Sequence, residues 1–528
     1  MTRRIPVAIV GAGPVGTALA VDLGLRGVRC ALIESRAAEH RIPKGQMLAH
    51  RTLEHFHFWG LAGELRAARL MPPGYPIGEI TAYGSLLGEY WQAPAGRELV
   101  RPYYFQDYER LPQYCTEAVL RRKLAALPGV ESFFGWTARQ VSQDGHAARV
   151  RLEQDGGARA EVLEADYVVG CDGGHSLVRE QAGIGRAGTD FRRTMVLAVF
   201  RSRELHEKLK RFPERSTFRV MRPGLEGYWL FFGRVDVGES WFFHAPLPPG
   251  EDASRCDIPA LIRDAVGSPV QCEFDHVGSW DLRVAVAERY RERRLFLAGD
   301  AAHSHPPYGA FGLNNGLEDA VNLGWKLQAT LAGWGGERLL ESYDAERRPV
   351  FRDIGENFIA ARIRKDGEFF SRHDPARDRA DFERAWRSRE SDIGSRFQDY
   401  EPNYEGSPVV AGPAGGQCSA HGKHEFKARA GHHLAPQKLA SGRDVFEELS
   451  NSSFNLLAFD ADEKDVAGYE ASAQSLRVPL KVVRDSGRDA RAAYESPLVL
   501  VRPDQFVGWT GARAPGDPGA LLRKLAGR

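Results

Sequence analysis

The feature that most constrains this chain is a glycine pattern near its start, Gly11-x-Gly13-x-x-Gly16, which lies between two segments of different periodicity. The aliphatic run Val7–Val10 precedes it and has the composition of a buried strand. The segment Val15–Arg26 follows it and has the length and spacing of a helix. A strand, a glycine turn and a helix in this order predict an α/β fold of the Rossmann type, whose first turn binds a dinucleotide.

Each glycine of the pattern has its own predicted role. Gly11 permits the tight turn, Gly13 lets a pyrophosphate approach the backbone, and Gly16 allows the helix to pack on the strand. The helix N-terminus then faces the anion. Glu34 ends the next strand about 20 residues on, where an acidic residue accepts hydrogen bonds from a ribose. For Arg36 we weigh stacking on an adenine ring and a solvated surface charge equally.

A second motif begins in the apolar strand Tyr167–Gly170 and runs directly into the turn Asp172-Gly173-Gly174. Such a turn brings the backbone close to a ligand. An Asx-type turn after a buried strand would have the same sequence. The second motif therefore indicates a ligand-binding turn only in combination with the other two motifs.

A third motif follows the strand predicted at Arg294–Ala298. It contains Asp300, the pair Pro306-Pro307 and several glycines up to Gly316, ahead of a helix predicted over Leu317–Leu331. The prolines stiffen the chain, the glycines permit close approach of a ligand, and the helix N-terminus stabilises negative charge. No purely structural role accounts for a pattern of this length.

Composition narrows the functional classes. The 528 residues suffice for two or three domains, and 71 Lys and Arg against 70 Asp and Glu create no global field for nucleic acid or an anionic membrane. No apolar run approaches the roughly 20 residues of a membrane span, and glycines interrupt the apolar start too early for a signal peptide. The six cysteines form no CxxC pair, so we expect no metal or dithiol centre. These features predict a compact cytoplasmic protein that uses a bound organic cofactor and a small-molecule substrate.

The pattern of the chain changes after the first two motifs. From about Thr194 to Ser279, aromatic strands such as Gly227–Gly233 and Ser240–Ala245 alternate with turns, which predicts an antiparallel sheet over a pocket. A charged region from Ser342 to about Arg396 has helical periodicity. The Pro- and Gly-rich loop Glu401–Gly416 marks a boundary.

Beyond that loop the sequence predicts a small α/β domain. Its predicted elements are a helix at Asp444–Leu449, strands at Phe454–Phe459 and Leu480–Arg484, and a hairpin of Leu498–Val501 with Phe506–Trp509. The whole chain is thus divided into a discontinuous nucleotide-binding domain (1–185 and 285–365), a substrate-binding sheet (186–284), a helical linker (366–405) and a C-terminal domain (406–528).

Together the three motifs resemble those of the FAD-dependent aromatic hydroxylases, the flavoprotein monooxygenases similar to 4-hydroxybenzoate hydroxylase and phenol hydroxylase. The resemblance covers about residues 5–350, and residues 406–528 resemble the thioredoxin-like domain of the phenol hydroxylase and polyketide hydroxylase branches. The C-terminal domain has Cys418 as its only cysteine, and a lone thiol cannot cycle an intramolecular disulfide. We therefore expect this domain to be structural or dimer-forming.

The resemblance implies a set of cofactor contacts. Glu34 would bind the adenosine ribose and Asp300 the ribityl chain, while the backbone N–H groups of Leu313 and Asn314 would face the isoalloxazine. Asp172 matches a turn implicated in contacts to both FAD and the pyridine nucleotide. The cofactor-binding residues implied in this way are Gly11, Gly13, Gly16, Glu34, Arg36, Lys44, Gln113, Asp172, Asp300, Gly312, Leu313 and Asn314.

The segment from Lys44 to Glu54 resembles the family's loop and helix beside the flavin, with two departures. Lys44 stands where many members carry arginine, and Gln46 stands where phenol hydroxylase has an aspartate near its substrate. Because glutamine cannot act as a base, phenol hydroxylase's way of activating its substrate cannot simply be transferred to this chain.

The predicted substrate strands resemble those of 4-hydroxybenzoate hydroxylase. Strand alternation places Tyr228, Phe232 and Arg234 on one face, and Arg234 matches an arginine that anchors a substrate carboxylate, an interpretation slightly favoured over a surface arginine. Phe232 and Phe242 replace polar groups. Candidates for assisting proton transfer are Tyr228, His244, His305 and Tyr308, although a structural role is the commoner one for each histidine. The predicted catalytic residues are Gln46, Tyr228, Arg234, His244 and Pro307.

The chemistry implied by the resemblance is reduction of FAD by NAD(P)H, reaction with O2 to a flavin C4a-hydroperoxide, and hydroxylation of a phenolic ring. A flavin-dependent halogenase is an alternative, but its usual Trp-x-Trp-x-Ile-Pro segment does not occur. A non-catalytic binding protein on this fold would not need the complete third motif, and an NAD dehydrogenase would not explain the second and third. The partners expected are a small aromatic substrate, O2 and NAD(P)H, with a homodimer as a further expectation.

Overall fold

The computed structural model describes residues 2–38, 41–157, 159–248, 251 and 253–528, so residues 249, 250 and 252 of the predicted substrate sheet lie outside the description. The described chain forms two eight-stranded sheets, a four-stranded sheet and two short strand pairs, with helices between them. This mixed α/β architecture confirms the predicted fold class. Among the described helices, none is long and apolar enough to cross a bilayer.

The first sheet is the predicted Rossmann-type sheet. Its central strand Thr2–Val10 pairs in parallel with both Cys30–Glu34 and Ala160–Gly170, and the helix Pro14–Leu25 connects it to the former. The β–α–β unit is therefore confirmed, and its segments Val7–Val10 and Cys30–Glu34 are buried throughout, as expected where both faces of a parallel sheet are covered. The strands are Thr2–Val10, Cys30–Glu34, Val130–Phe134, Trp136–Gln143, Ala148–Gln154, Ala160–Gly170, Arg291–Glu292 and Leu295–Leu297. The helices of this part are Pro14–Leu25, His50–Phe58, Ala62–Ala67, Gln113–Ala125, Leu177–Gln181, Phe311–Leu331 and Glu337–Asp353.

The second sheet is the predicted substrate sheet, extended by strands from outside 186–284. Three short strands join it from the nucleotide-binding part, and one of them, Glu79–Tyr83, pairs in parallel with Thr217–Met221. The sheet is thus mostly, not wholly, antiparallel. Its strands are Glu79–Tyr83, Trp91–Gln92, Arg186–Arg201, Thr217–Met221, Leu230–Arg234, Ser240–Pro246, Glu273–Ala287 and His303–Ser304. The helices Arg203–Lys208 and Ile258–Val266 accompany it.

The charged region after the second sheet is helical, as predicted. A π-helical segment, Ile354–Ala360, joins Glu337–Asp353 to Ala361–Arg372, and the helix Arg379–Asp399 follows. The loop predicted as a domain boundary begins instead within a strand, Tyr400–Tyr404, which pairs with Cys418–His421. The hydroxyl of Ser407 in this loop donates to Glu346 at 2.6 Å, so the loop is packed against the helix Glu337–Asp353.

The C-terminal sheet has four strands, Phe454–Phe459, Leu480–Asp485, Leu498–Val501 and Val507–Gly511. Phe454–Phe459 pairs in parallel with Leu480–Asp485 on one side and antiparallel with Leu498–Val501 on the other. Leu498–Val501 then pairs antiparallel with the last strand. The helices are Glu463–Leu476, Arg488–Tyr494 and Pro518–Leu525. The helix predicted at Asp444–Leu449 is only a 3₁₀ turn, Val445–Glu447, with a capping box. This β-α-β-α-β-β-α order supports the thioredoxin-like prediction, which stays a prediction. The lone Cys418 is desolvated, and burial raises the pKa of its thiol to about 12, which disfavours the reactive thiolate.

A buried ionic network joins the C-terminal sheet to the long helix Phe311–Leu331. Glu346 accepts hydrogen bonds from Lys326 at 2.7 Å and from two nitrogens of Arg502 at 2.6 and 2.9 Å. Asp504 also pairs with Arg502 and accepts from the indole nitrogen of Trp325 at 3.0 Å. All five side chains are completely buried. Lys326 and Glu346 belong to the nucleotide-binding domain, and Arg502 and Asp504 belong to the C-terminal domain. The network therefore packs the two domains against each other.

We predict that Arg502→Met lowers the free energy of unfolding by about 3–5 kcal/mol, because it leaves Asp504 and Glu346 buried with insufficient positive charge. Urea unfolding measures the loss. Arg523→Ala is the control, since Arg523 is exposed and its pairing with Asp517 should contribute no more than about 0.5 kcal/mol. Equal unfolding curves for the two variants would show that the network does not hold the domains together.

Candidate active site

The glycine turn brings the first and second motifs into contact. Gly11 has a φ of +98°, and its N–H donates to the carbonyl of Ile33 at 2.8 Å. A Cβ on Gly11 would collide with the carbonyl oxygen of Cys171, and one on Gly16 would collide with the carbonyl oxygen of Gly11. In contrast, a Cβ on Gly13 would meet no protein atom within 4 Å. Gly11 and Gly16 are therefore needed for packing, whereas Gly13 borders open space at the helix N-terminus.

Glu34 lies directly beside this turn. Its carboxylate accepts hydrogen bonds from the amide of Ala12 at 2.9 Å and from the amide of Arg36 at 3.0 Å. Burial opposes ionisation, but these amides and the Arg36 guanidinium outweigh it and hold the pKa of Glu34 below its ordinary value. Arg36 pairs with Glu34 at 3.0 Å while about half of its side chain stays exposed. The structure thus places both predicted adenosine residues at the same edge of the turn.

Asp172 is directed partly away from the glycine turn. One carboxylate oxygen accepts from the amide of Val178 at 3.1 Å, at the start of the helix Leu177–Gln181. The other oxygen is buried and has no hydrogen-bond partner among the described residues. Burial is the main reason that the pKa of Asp172 is raised. The backbone of this turn lies against Gly11, whereas the unpartnered oxygen is directed towards Gly170, where an added Cβ would lie 3.0 Å from it.

The third motif packs on the same helix N-terminus through Val15. A Cβ on Gly299 would lie 2.9 Å from the Val15 side chain, and one on Gly316 would lie 3.4 Å from the Cα of Gly299. All three motifs therefore converge on one point, although about 160 residues separate the first motif from the second.

Asp319, which the sequence reading left without a role, holds the third motif in place. One of its carboxylate oxygens accepts from the amide of Gly299 at 3.0 Å and lies 2.6 Å from His303 Nε2. The other accepts from Arg347 Nε at 2.7 Å. Asp319 is completely buried, and despite that burial His303 and Arg347 hold the pKa of this carboxyl below its ordinary value. The geometry of the Gly299-Asp300 turn is thus fixed by an ionised carboxylate behind it.

Asp300 itself is exposed to the cleft, and its carboxylate makes no hydrogen bond to any described residue. Protein atoms enclose it on the other sides, and this desolvation raises the pKa of Asp300, although His303, Arg186 and Lys44 oppose the rise. Arg186 also donates to the Asp300 backbone carbonyl. A carboxylate in such a setting is suited to accept hydrogen bonds from the hydroxyl groups of a ligand.

The long helix starts at Phe311, six residues earlier than predicted, after Ala310 in a left-handed conformation. The amides of Phe311, Gly312 and Leu313 therefore precede the first intrahelical hydrogen bond and can face a ligand. Asn314 acts through its side chain instead. Its oxygen accepts from the amide of Ala49 at 2.8 Å, and its nitrogen donates to the carbonyl of Met47 at 3.0 Å. The helix start is thereby locked to the loop that follows Lys44.

That loop forms one wall of the cleft at the end where the flavin ring is predicted to bind, which we call the ring end. A Cβ on Gly45 would lie 3.3 Å from both the amide oxygen of Gln113 and the side chain of Leu313. Gln113 donates to Glu117 at 2.7 Å, and Lys44 is exposed. Gly45, next to Lys44, thus lies against both Gln113 and Leu313, and the cofactor contacts of these residues stay predictions.

The sheet presents a predominantly apolar face beside this loop. Phe231 pairs across the strands with His244, which lies edge-on to both Phe242 and Trp280 at 5.3 Å between ring centroids. Ile42, from the segment that leads to Lys44, packs against the same cluster. We call this surface the aromatic face; its residues are Ile42, Leu197, Val199, Phe231, Val235, Phe242, His244 and Trp280.

Arg234 does not belong to the aromatic face, which corrects its predicted role as a substrate anchor. Its Nη1 lies 2.8 Å from His206 Nδ1, and its guanidinium lies 4.4 Å from the ring centroid of Trp241. Phe232 packs on Phe243 on this same opposite side of the sheet. Strand alternation correctly grouped Phe232 with Arg234, but a single strand does not reveal which of its faces meets the pocket.

The other predicted catalytic side chains provide no base. Burial lowers the pKa of His244 to about 3 and that of His305 to about 4, so both are neutral near pH 7. Burial raises the pKa of Tyr228 and Tyr308, which keeps both phenols protonated. Pro307 is exposed just before Tyr308. The roles of these residues remain predictions.

Gln46 contacts Arg110, a residue that the sequence analysis did not single out. Its side-chain oxygen accepts from Arg110 Nη2 at 2.9 Å, and the same nitrogen lies 3.3 Å from the Arg234 carbonyl oxygen. Arg110 is buried, and its guanidinium lies 5.8 Å from the ring centroid of Phe242. Arg110 is thus a buried arginine beside the aromatic face and next to Gln46, a predicted substrate residue.

A separate cavity of about 70 Å³ lies between the helix His50–Phe58 and the start of the long helix. Arg97 lines it and donates to the carbonyl of Gly309 at 2.8 Å, just before the long helix. Tyr104, Phe397 and Tyr400 form much of its wall. This cavity lies beside the Gly309-Ala310 turn and is lined by residues other than those of the aromatic face. The described residues contain no cluster suited to a metal ion.

These features fit FAD in order along the cleft. The open side of Gly13 accommodates a pyrophosphate, the unpartnered carboxylate of Asp300 suits a ribityl chain, and the free amides near Leu313 suit the polar edge of a flavin. The fold and this cleft together define a flavoprotein, and the aromatic face lies beside the end of the cleft that suits the flavin ring.

The comparisons with known proteins agree. A family model described as FAD binding domain matches residues 4–357, and one described as aromatic-ring hydroxylase, C-terminal, matches residues 427–528. A putative polyketide hydroxylase of Streptomyces halstedii is 32% identical, with 96% of this chain and 93% of that protein covered. The rebeccamycin biosynthetic enzyme RebC with reduced flavin superposes with a TM-score of 0.84 at 27% identity, covering 100% of this chain and 99% of RebC. Aklavinone-11 hydroxylase, in a ternary complex with FAD and aklavinone, superposes with a TM-score of 0.83 at 25% identity, covering 99% of each chain. The chain belongs to the FAD-dependent aromatic-ring hydroxylases, a family of flavoprotein monooxygenases.

We predict that Asp300→Ala weakens FAD binding roughly tenfold to a hundredfold, because it removes one charge-assisted hydrogen-bond acceptor from the ribityl chain. The FAD dissociation constant of the reconstituted apoprotein measures this. Asp281→Ala, which changes an exposed aspartate of the substrate sheet, is the matched control and should bind FAD like the wild type. Unchanged FAD affinity in Asp300→Ala would remove Asp300 from the cofactor site.

Gly13→Val should separate cofactor binding from folding. Its side chain would meet no protein atom near Cβ but would occupy the place of the pyrophosphate, so the apoprotein should unfold at a normal urea concentration and retain no FAD. Gly11→Ala should instead destabilise the apoprotein, because of the positive φ and the collision with Cys171. Normal FAD content in Gly13→Val would contradict the placement of the pyrophosphate.

Proposed function

We propose that this protein uses NAD(P)H and O2 to hydroxylate a phenolic ring of an aromatic substrate of the polyketide type. The observation that carries the proposal is the position of the aromatic face, which lies beside the Lys44–Gln46 loop at the ring end of the FAD cleft. A flat apolar ring stacked there would lie next to the flavin. The polyketide hydroxylase name of the Streptomyces halstedii relative supports the substrate class.

Bound FAD, once reduced, supplies the activation of O2 and the transfer of one oxygen atom to the substrate. The protein contributes placement and exclusion of water. Phe231, Phe242 and Trp280 provide apolar contacts that hold an aromatic ring.

The site must also favour the ionised form of the phenol. A phenol has an unperturbed pKa near 10, and its phenolate is a far stronger nucleophile. Gln46 cannot take the proton, and His244 and His305 have pKa values of about 3 and 4 that make them poor bases near pH 7. We therefore expect stabilisation of the phenolate by positive charge to matter more than proton removal by a side chain.

The proposed function is tested by turnover with a panel of mono- and polycyclic phenols. We expect yellow protein whose NAD(P)H oxidation is stimulated at least several-fold by an accepted phenol, with a product that is heavier by one oxygen atom. Gly13→Val is the control, because it should lack FAD but keep the fold. Substrate-independent oxidation of NAD(P)H, with no oxygenated product from any phenol, would contradict the proposal, and a chlorinated product would favour the halogenase alternative.

A further inference from the structure

Arg110 is a buried positive charge without a negative partner. It is 3% exposed, and no carboxylate lies within ion-pair distance among the described residues. The adjacent Glu109 is engaged elsewhere, since its carboxylate pairs with Arg69 at 3.0 Å. Burial alone lowers the pKa of Arg110 to about 9, so the guanidinium remains charged near pH 7. Leaving such a charge unpaired is costly, which indicates that a ligand completes the site.

The hydrogen bonds of Arg110 leave most of its donors free. Nη2 donates to two neutral oxygens, of Gln46 and of the Arg234 backbone. Nε is buried and has no partner, and Nη1 donates to no described residue. Because a guanidinium presents its donors in a planar fork, the free groups match a carboxylate or phenolate oxygen.

The position of Arg110 is fixed by the aromatic face. Its guanidinium lies near Phe242, and a Cβ on Gly233 would collide with the Phe242 ring and lie 2.8 Å from Arg110 Nη2. Any larger residue at Gly233 would displace the arginine. Gly233 and Phe242 thus form a seat for Arg110 at the edge of the surface on which an aromatic substrate would stack.

We propose, on the basis of the function proposed above, that Arg110 binds an ionised oxygen of the aromatic substrate. Gln46 orients the guanidinium through its side-chain oxygen. For a phenol, the hydroxyl proton passes to solvent and the resulting phenolate pairs with Arg110, so the site needs no basic side chain. This assigns to Arg110 the anion recognition that the resemblance implied for Arg234.

The test measures ligand binding to the oxidised FAD-loaded protein without NAD(P)H, from the change in flavin absorbance. The probes are a naphthol, its methyl ether and the matching naphthoic acid. Arg110→Met is compared with Arg234→Met, an equally buried arginine on the opposite face of the sheet. Arg110→Lys keeps the charge and provides a second variant if Arg110→Met does not retain FAD.

We expect Arg110→Met to weaken naphthoate or naphtholate binding by about 30-fold or more. Binding of the methyl ether should change little, Arg110→Lys should recover part of the loss, and Arg234→Met should bind all three probes like the wild type. Loss confined to the naphthoate identifies a carboxylate as the anion. A bound naphthol that ionises at lower pH than free naphthol in the wild type, but not in Arg110→Met, identifies a phenolate.

Three results would overturn the proposal: wild-type protein with no preference for the acidic probes over the ether, equal losses for all three probes in Arg110→Met, or the same selective loss in Arg234→Met. Turnover answers a separate question. If the wild type oxygenates phenols and Arg110→Met binds them with wild-type affinity, the role of Arg110 is refuted and the proposed function stands. Charge-selective binding without any oxygenated product would instead refute the proposed function and leave the anion site standing.

Discussion

The structure depends on the absence of side chains at Gly11 and Gly16. Their backbones lie so close to each other and to Cys171 that a single added carbon would collide. This contact allows the helix Pro14–Leu25 to begin at the place where the strand Ala160–Gly170 ends, and the long helix then packs on Val15 through Gly316. Three distant segments of chain thereby surround one helix N-terminus, and the cofactor cleft is what remains between them.

The charged side chains of the protein differ in whether other protein groups balance their charge. Asp319 is balanced by Arg347 and His303, and Glu346 by Lys326 and Arg502, so these groups hold segments together without requiring a ligand. The exposed carboxylate of Asp300 and the buried guanidinium of Arg110 lack such partners among the described residues. These two groups border the cleft and the aromatic face, where a flavin and a substrate would supply their hydrogen-bond and ion-pair partners.

The cofactor half of the site was predictable because its signals are local. A glycine turn, its strand and its helix are encoded within about 25 consecutive residues, and each glycine has a steric reason that is visible in the pattern. The early start of the long helix was missed because Gly312, Asn314 and Asn315 are poor helix formers. Asn314 donates from its side chain to the carbonyl of Met47 and Asn315 to that of Phe311, which offsets the preference, and those partners could not be read from propensity.

The substrate half was harder to predict because it is built across the chain. Alternation along one strand grouped Phe232 with Arg234, but only the packing of Trp241 and His206 shows that this face lies away from the cleft. Arg110 meets Gln46 from 64 residues away and gives no local signal. The account is tested most directly by a crystal structure of the FAD-loaded protein. We expect the pyrophosphate at Gly13, the ribityl chain at Asp300 and the polar flavin edge at the Leu313 amide. A flavin bound elsewhere, or a pyrophosphate away from the glycine turn, would contradict it.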